Sequence, residues 1–267
     1  MRHAQPQAGP SPAAGRAAYP QFIDGKAPMQ QVAEHVYRLG RSRHNFYLVA
    51  EGGKATVIDA GGSSELVLLE RALHALGLML DDVEAILITH AHTDHIGFAA
   101  LASRQGVAVK SHEDEADYVR DRSKGTQVRA TDLPLWKPMM WGFLVEMFRS
   151  GAHKGYPVPG VEALSDGEVL DLPGRPTVVA TPGHTAGHAA YYLGDGSTLF
   201  CGDALATRSL TRSGIGPQFL DDRLHADPDR ARRSLDHLAV LGTDLLLPGH
   251  GDPWSGPIAD LVTRARG

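Results

Sequence analysis

Short apolar runs bounded by glycine, proline or aspartate recur along most of the chain, and these runs predict strands. β-Branched and aromatic residues dominate 35–40 and 45–61, and Gly52 and Gly53 mark a predicted hairpin turn. The run over 83–90 is almost continuously apolar, which is typical of a strand buried on both faces. The same reasoning predicts further strands at 107–112, 168–172, 177–183, 188–194, 198–204 and 244–250.

Between these strands, apolar residues at spacings of three and four predict helices. In 63–77 the leucines fall at this spacing, and Ser63 or Ser64 can cap the helix. Further helices are predicted at 95–106, 113–122 and 227–241. Residues 123–160 show neither period and are rich in Trp, Met, Phe and Pro, so we interpret them as an inserted helical lid segment. This succession predicts an α+β fold, a sandwich of two sheets covered by helices on the outside.

Length and composition are those of an ordinary globular protein. The chain has 267 residues, of which 42% are hydrophobic and 21% are charged, and this is enough to bury a substantial core. We assign 28–267 to a single domain that contains the insertion at about 123–160. Residues 1–27 are interpreted as a disordered lead-in, because their first part is dominated by proline, alanine and glycine.

Charge and cysteine content limit the partners that are expected. The net charge is −5, which argues against a nucleic acid or an anionic membrane as partner. The sequence contains no apolar run long enough for a membrane span and no secretory signal. Cys201 is the only cysteine, so an intramolecular disulfide is excluded. We therefore expect a cytoplasmic protein, with a disulfide-free exported protein as the alternative.

Histidine and aspartate residues stand where several predicted strands end. The stretch LITHAHTDHIGF, residues 87–98, is the densest case. The residues at these junctions are Asp59, His90, His92, Asp94, His95, His184, His188, Asp203 and His250. Because they follow non-adjacent strands, we expect them to converge at one edge of a sheet, where enzymes place their chemistry. Imidazole and carboxylate ligands suit zinc or iron, and the single cysteine argues against a structural thiolate site.

This set of motifs resembles the metallo-β-lactamase superfamily, and its order and spacings are similar to the glyoxalase II-like hydrolase branch. The resemblance covers roughly residues 34–255. It implies a four-layer αββα sandwich. It also implies a site for two divalent metal ions, with zinc as the first expectation and iron or manganese as alternatives.

The residues that match the family's motifs indicate which side chains of this protein would bind the metals. The resemblance implies that the first metal is held by His90, His92 and His184. It implies that the second metal is held by Asp94, His95 and His250. Asp203 would bridge the two metals, and Asp94 would also be catalytic, orienting the attacking hydroxide or relaying a proton. Three residues match positions that support the ligands in the family: Asp59, Thr185 and His188.

The resemblance implies an enzyme, a hydrolase whose metal-bound hydroxide attacks the carbonyl of an ester, thioester, lactone or amide in a small-molecule substrate. An apolar group of the substrate would lie against a wall in the inserted segment. The residues of this candidate wall are Trp136, Met140, Trp141 and Phe143. The segment could instead bury its own apolar face, or form a homodimer surface.

Departures from known members narrow the expected activity. The aspartate at Asp203 argues against true β-lactam hydrolysis, and Ala206 stands where many acyl-homoserine lactonases have tyrosine. The chain continues only briefly beyond His250, which argues against the glutathione thioester of glyoxalase II itself. Two alternatives remain: a mononuclear iron enzyme like the persulfide dioxygenases, and a biosynthetic member that performs a non-hydrolytic step.

Overall fold

The computed structural model of the protein describes residues 29–41, 43–124, 136, 138–209 and 214–266. The predicted lead-in at 1–27 lies outside these residues, as does 125–135. In the described part the first sheet consists of β1 (Gln30–Ala33), β2 (Val36–Arg41), β3 (His44–Glu51), β4 (Lys54–Ile58), β5 (Val83–Ile88), β6 (Ala108–His112) and β7 (Glu162–Leu164). They lie side by side in chain order. Neighbours from β1 to β4 are antiparallel, and those from β4 to β7 are parallel.

The later strands are β8 (Thr177–Ala180), β9 (Ala189–Tyr192), β10 (Leu199–Gly202), β11 (Ala206–Arg208), β12 (Ile215–Gln218), β13 (Leu245–Pro248) and β14 (Trp254–Ser255). The second sheet has the order β14-β13-β10-β9-β8, while β11 and β12 form a separate hairpin. Only β10 and β13 are parallel neighbours among the described strands of the second sheet. Each sheet therefore has a parallel part whose strand ends can share one edge.

The helices are α1 (Leu66–Ala75), α2 (Ala99–Ser103), α3 (Glu113–Arg120), α4 (Pro138–Ser150), α5 (Pro228–Ala239) and α6 (Ile258–Arg266). Leu69 and Leu73 of α1 belong to the core on the outer face of the first sheet. Leu235 of α5 and Leu261 of α6 belong to the core on the outer face of the second sheet. A third core between the two sheets includes Tyr47, Leu87, Val178, Tyr191 and Phe200. The predicted four-layer αββα sandwich is confirmed.

Several element boundaries differ from the prediction. In the predicted strand 168–172, only Val169 pairs with Thr177, as an isolated bridge, and Pro173 and Pro176 beside it lack the N–H donors that a longer ladder needs. The predicted helix 95–106 is a regular α-helix only over α2. The N–H groups of Gly97 and Phe98 instead bind the carbonyls of Gly61 and Ala60, at 2.9 and 3.0 Å.

The N-terminus of α1 and six further elements also depart from the prediction. Glu65 stands at the N-cap of α1, in place of Ser63 or Ser64, and makes no side-chain cap hydrogen bond. The elements β1, β7, β14 and α6, and the β11–β12 hairpin, were not predicted. They are short, or they follow the last predicted strand.

α4 lies within the predicted insertion and packs against the loop before α1. The carbonyl of Ser150 at its end accepts a hydrogen bond from Ser64 N–H at 2.9 Å, and Ser63 Oγ donates to the carbonyl of Gly151 at 3.0 Å. Neither α4 nor any other described helix combines the length and apolar character needed to cross a bilayer.

Candidate metal centre

The polar residues at strand ends converge as the sequence predicts. Asp59 directly follows β4, Asp203 directly follows β10, and His250 lies just beyond β13. One expectation is wrong in detail. β5 ends at Ile88, so His90 lies in the loop that follows the strand and not at an extended strand end. The loop still directs the imidazoles of His90 and His92 toward each other, with His90 Nε2 and His92 Nδ1 3.0 Å apart.

Four of these residues form a compact cluster that we call the first ligand group: His90, His92, His184 and Asp203. His184 Nε2 lies 3.1 Å from His92 Nδ1 and 3.3 Å from Asp203 Oδ2. One ligand atom from each of the four residues lies within 4.8 Å of the others. Three imidazole nitrogens and one carboxylate oxygen at these distances form a donor set suited to a divalent transition metal.

Asp94, His95 and His250 form the second ligand group, again with ligand atoms within 4.8 Å of one another. Asp94 Oδ2 lies 3.7 Å from His250 Nε2 and 4.0 Å from His95 Nε2. Asp203 reaches this group too, because its Oδ1 is 3.5 Å from His95 Nε2 and its Oδ2 is 3.2 Å from His250 Nε2. The carboxylate of Asp203 therefore lies between the two groups.

The donor atoms that face this space fit metal ions. His95 Nε2 and Asp203 Oδ1 are buried, and neither has a hydrogen-bond partner among the described residues. Leaving such an atom unpaired costs about 1–3 kcal/mol, so a bound cation at this position would remove an energetic penalty. The far nitrogens are already engaged, since His95 Nδ1 pairs with Asp59 at 2.8 Å and His250 Nδ1 pairs with the carbonyl of Arg43. This arrangement leaves each Nε2 directed toward the site.

Burial and the surrounding charges set the protonation of the cluster. Burial, aided by neighbouring histidines, lowers the pKa of His90 well below its usual value, and burial lowers the pKa of His92 to about 4. Burial raises the pKa of Asp203, but the charges of His250 and His95 outweigh that effect and hold it well below its usual range. Metal binding requires neutral imidazoles beside an ionised carboxylate, and His90, His92 and Asp203 are in these states. Burial opposes a charge on His95, but the carboxylates of Asp59, Asp203 and Asp94 outweigh burial and raise its pKa to about 10, so a metal at the second ligand group would displace a proton from His95.

Asp59 orients two of the histidines. Its Oδ2 accepts a hydrogen bond from His95 Nδ1, and its Oδ1 accepts one from the backbone N–H of Thr89 at 2.8 Å. The Thr89 hydroxyl also binds Asp59 at 2.9 Å and lies 3.0 Å from His90 Nδ1. Asp59 has a positive φ of 61°, a strained conformation for a non-glycine residue. Asp59 thus contacts one histidine of each ligand group, His95 directly and His90 through Thr89. Its predicted role in supporting a bound metal stays a prediction.

Asp59→Asn is expected to weaken metal binding by about 10–100-fold, the usual cost of losing a partner of a metal ligand. Asparagine tolerates the left-handed backbone conformation, so the change removes mainly the carboxylate. Competition with a chromophoric chelator measures the affinity, and Asp81→Asn, at an exposed position, is the matched control. Unchanged affinity in folded Asp59→Asn would refute this role.

The other two predicted supporting residues make different contacts. His188 Nε2 accepts a hydrogen bond from Asp203 N–H at 3.0 Å, and its Nδ1 pairs with Thr181 Oγ1 at 2.8 Å. Burial lowers the pKa of His188 to about 3, in agreement with an imidazole that accepts a hydrogen bond. Thr185 donates to Glu115 Oε2 at 2.8 Å. Both roles toward a metal stay predictions.

Some residues that support the cluster were missed by the sequence reasoning. The Asn45 amide donates to the carbonyls of Pro248 and Gly251, at 2.9 and 2.7 Å, and so fixes the loop that carries His250. His225 Nδ1 lies 3.4 Å from His184 Nδ1, and its ring stacks on Phe219. These residues lie far along the chain from the ligands they support. The sequence around Asn45 and His225 shows only a polar residue among apolar ones, which is not enough to predict these contacts.

The candidate substrate wall is only partly described. Trp136 and Trp141 are 73% and 63% exposed, whereas Met140 is fully buried. The side chain of Phe143 lies outside the described residues. A Cβ at Gly142 would lie 2.7 Å from the guanidinium of Arg43, the residue whose carbonyl pairs with His250, so α4 runs beside the neighbours of the second ligand group. Contact of these residues with a substrate, or with a second copy of the chain, stays a prediction.

Comparison with known proteins agrees with this geometry. A family model described as the metallo-beta-lactamase superfamily matches residues 39–250. The chain is 29% identical to the probable metallo-hydrolase YflN of Bacillus subtilis (strain 168), over 85% of this chain and 87% of that protein. It is 31% identical to the hydroxyacylglutathione hydrolase of Acidiphilium cryptum (strain JF-5), over 76% of this chain but only 63% of that protein. Among solved structures, a metallo-beta-lactamase family protein from Thermus thermophilus is 28% identical with a TM-score of 0.64, covering 88% of this chain and 79% of that one.

Proposed function

Because this chain belongs to the metallo-β-lactamase superfamily, we propose that it is a metal-dependent hydrolase whose two ligand groups hold two divalent ions. The observation that carries the proposal is the position of Asp203. Its carboxylate lies 3.3 Å from His184 Nε2 in the first ligand group and 3.5 Å from His95 Nε2 in the second. A carboxylate shared in this way can bridge two ions and fix their separation.

The donor set favours zinc. Imidazole nitrogen is a good ligand for zinc, and the carboxylates of Asp94 and Asp203 add oxygen ligands without any thiolate. Iron and manganese accept similar ligands and are the alternatives. The second ligand group has three residues of its own, and its two histidines also lie within 3.5 Å of the Asp203 carboxylate. This second set of donors favours a dinuclear hydrolase over a mononuclear iron enzyme.

Asp94 is the proposed catalytic residue. When bound, the ions would supply Lewis acidity toward a carbonyl oxygen and would lower the pKa of water toward neutrality. Burial raises the pKa of Asp94, but the charges of His95 and His250 outweigh that effect and keep it below its usual value. The ionised carboxylate of Asp94 can therefore accept a hydrogen bond from the nucleophile and hold it in orientation, and relay of a proton is its alternative proposed role. Asp59 and His188 keep His95 and the backbone of Asp203 in place during the reaction.

The proposed substrate is a small molecule with an ester, thioester, lactone or amide bond and an apolar group. The names of the relatives support hydrolysis, including hydrolysis of a thioester in the hydroxyacylglutathione hydrolases. The chain spans 63% of the length of that hydrolase, and the acyl and thiol groups of its own substrate are the part of the proposal that the substrate panel tests. Trp141 and Phe148 on α4 expose their aromatic rings, and this supports an apolar substrate group.

A substrate panel tests the proposal. The panel contains aryl esters, thioesters including a hydroxyacylglutathione, lactones and amides, assayed before chelation, after chelation and after reloading with Zn²⁺. We expect hydrolysis of at least one class that is lost on chelation and restored by zinc. Hydrolysis that survives complete removal of metal would refute the proposal, as would a metal-loaded protein that hydrolyses no class in the panel.

A further inference from the structure

Glu115 is a fully buried carboxylate on α3 that joins two loops of the centre. Its Oε1 accepts a hydrogen bond from the backbone N–H of Ala91 at 2.7 Å. Its Oε2 accepts two more, from Thr185 Oγ1 at 2.8 Å and from the N–H of Gly187 at 3.0 Å. One side chain therefore links the residue between His90 and His92 to the turn that follows His184.

Arg122 binds the backbone carbonyl of Ala91. Its guanidinium donates to the carbonyl oxygen of Ala91, whose N–H is already bound to Glu115. Ala91 is itself buried, and it is the only residue between two histidines of the first ligand group. Both backbone hydrogen-bonding groups of Ala91 are thus fixed by charged side chains from one segment of the chain, 115–122.

The contact between α3 and the turn at 184–188 leaves no room for a side chain at Gly187. A Cβ added to Gly187 would lie 2.8 Å from the carbonyl oxygen of Asp114 and would also overlap the backbone of Glu115. The start of α3 therefore packs directly on the turn that carries His184. This close approach requires glycine and places the Glu115 carboxylate within reach of the turn.

We infer that Glu115 and Arg122 form a clamp that sets the relative positions of the three histidines in the first ligand group. The inference rests on the proposed metal site. Ligand atoms must be held within about 0.5 Å of their productive positions, and loops achieve this only when other groups fix their backbone. Glu115 is a positioning residue for the first metal, acting through Ala91 and Gly187, and Arg122 fixes the carbonyl side of the same loop.

Glu115→Gln is the decisive substitution. Glutamine has the size of glutamate but a single acceptor oxygen, whereas the N–H groups of Ala91 and Gly187 approach different oxygens of Glu115. One of these donors must then face an amide NH₂ group. We expect the affinity of the first ligand group for metal to fall by about 10–100-fold, the range found when a partner of a metal ligand is lost. The affinity of the second ligand group is expected to change less.

Stepwise titration of the chelated protein with Co²⁺ measures both affinities, and the d–d absorption of the bound ion reports the geometry of its ligands. Glu113→Gln is the matched control, because Glu113 is exposed on the same turn of α3. A merely structural role for Glu115 would lower the unfolding temperature and leave the affinity and absorption of the folded protein unchanged. That result would overturn the clamp while the proposed function stands.

Two other results of the Co²⁺ titration have different meanings. If the unaltered protein bound no Co²⁺, the proposed function itself would fail. If Glu115→Gln did not fold, Thr185→Val would replace it, because that change removes one donor to Glu115 at almost constant volume. We expect Thr185→Val to weaken the first site by about 2- to 10-fold, which corresponds to one hydrogen bond. No weakening in folded Thr185→Val would then overturn the clamp.

Discussion

Asp203→Asn is expected to reduce the metal content from about two ions per chain to less than one and to lower kcat/KM by at least about 10³-fold. The reason is that Asp203 is the only residue assigned to both ions. Its Oδ2 lies 3.3 Å from His184 Nε2 of the first ligand group, and its Oδ1 lies 3.5 Å from His95 Nε2 of the second. An amide at this position has no charge and turns an NH₂ group toward one of the ions. Several kcal/mol of charge stabilisation is then lost, and each 1.36 kcal/mol is about tenfold in rate.

Metal analysis by mass spectrometry and hydrolysis of the best substrate in the panel measure this effect. Asp244→Asn is the matched control, because Asp244 is exposed just before β13, the strand that leads to His250. Circular dichroism establishes that both variants are folded. An Asp203→Asn protein that kept both ions and its full rate would show that Asp203 does not bridge them.

Asp94→Ala is expected to lower kcat by about 10²–10⁴-fold, the contribution typical of a positioned general acid or base, while one ion per chain remains. The ion-pair contacts of Asp94 are with the second ligand group, where its Oδ2 lies 3.7 Å from His250 Nε2 and 4.0 Å from His95 Nε2. The first ligand group keeps all of its four residues in this variant. Comparing Asp94→Ala with Asp203→Asn therefore distinguishes a residue that binds one ion from a residue that binds both.

Turnover and metal content of Asp94→Ala are compared with those of Asp260→Ala, an exposed aspartate on α6. Loss of both ions would mean that the first ligand group does not bind metal alone. An unchanged kcat would show that Asp94 is not a catalytic residue.

The ligand cluster could be predicted from the sequence because its signals are local. His90, His92, Asp94 and His95 stand within one short stretch, and Asp203 directly follows an apolar run that forms β10. Strands in parallel register bring their ends to one edge, so the convergence followed from the strand pattern alone. The same reasoning located Asp59, although its direct contact with His95 became visible only in three dimensions.

Glu115 could not be predicted because its partners are distant in sequence. It lies 24 residues from Ala91 and 72 residues from Gly187. In the sequence it stands in an acidic first helical turn, a pattern that complements the helix dipole and requires no other role. Only the packing of α3 on the turn at 184–188 distinguishes buried Glu115 from exposed Glu113 and Asp114.

The missed elements have similar causes. β7 is only three residues long and is defined by its pairing with β6, so no alternation within it could identify it. The predicted strand at 168–172 has the composition of a strand, but the adjacent prolines prevent a continuous ladder. α6 carries Ile258, Leu261 and Val262 at helical spacing, a signal that is present in the sequence and was not used.

The most direct test of the dinuclear centre is the metal content of the unaltered protein, purified without added metal and measured by mass spectrometry. We expect about two zinc ions per chain, in agreement with two ligand groups joined by one carboxylate. A single iron ion per chain, or a folded protein without metal that binds none when zinc is supplied, would contradict it.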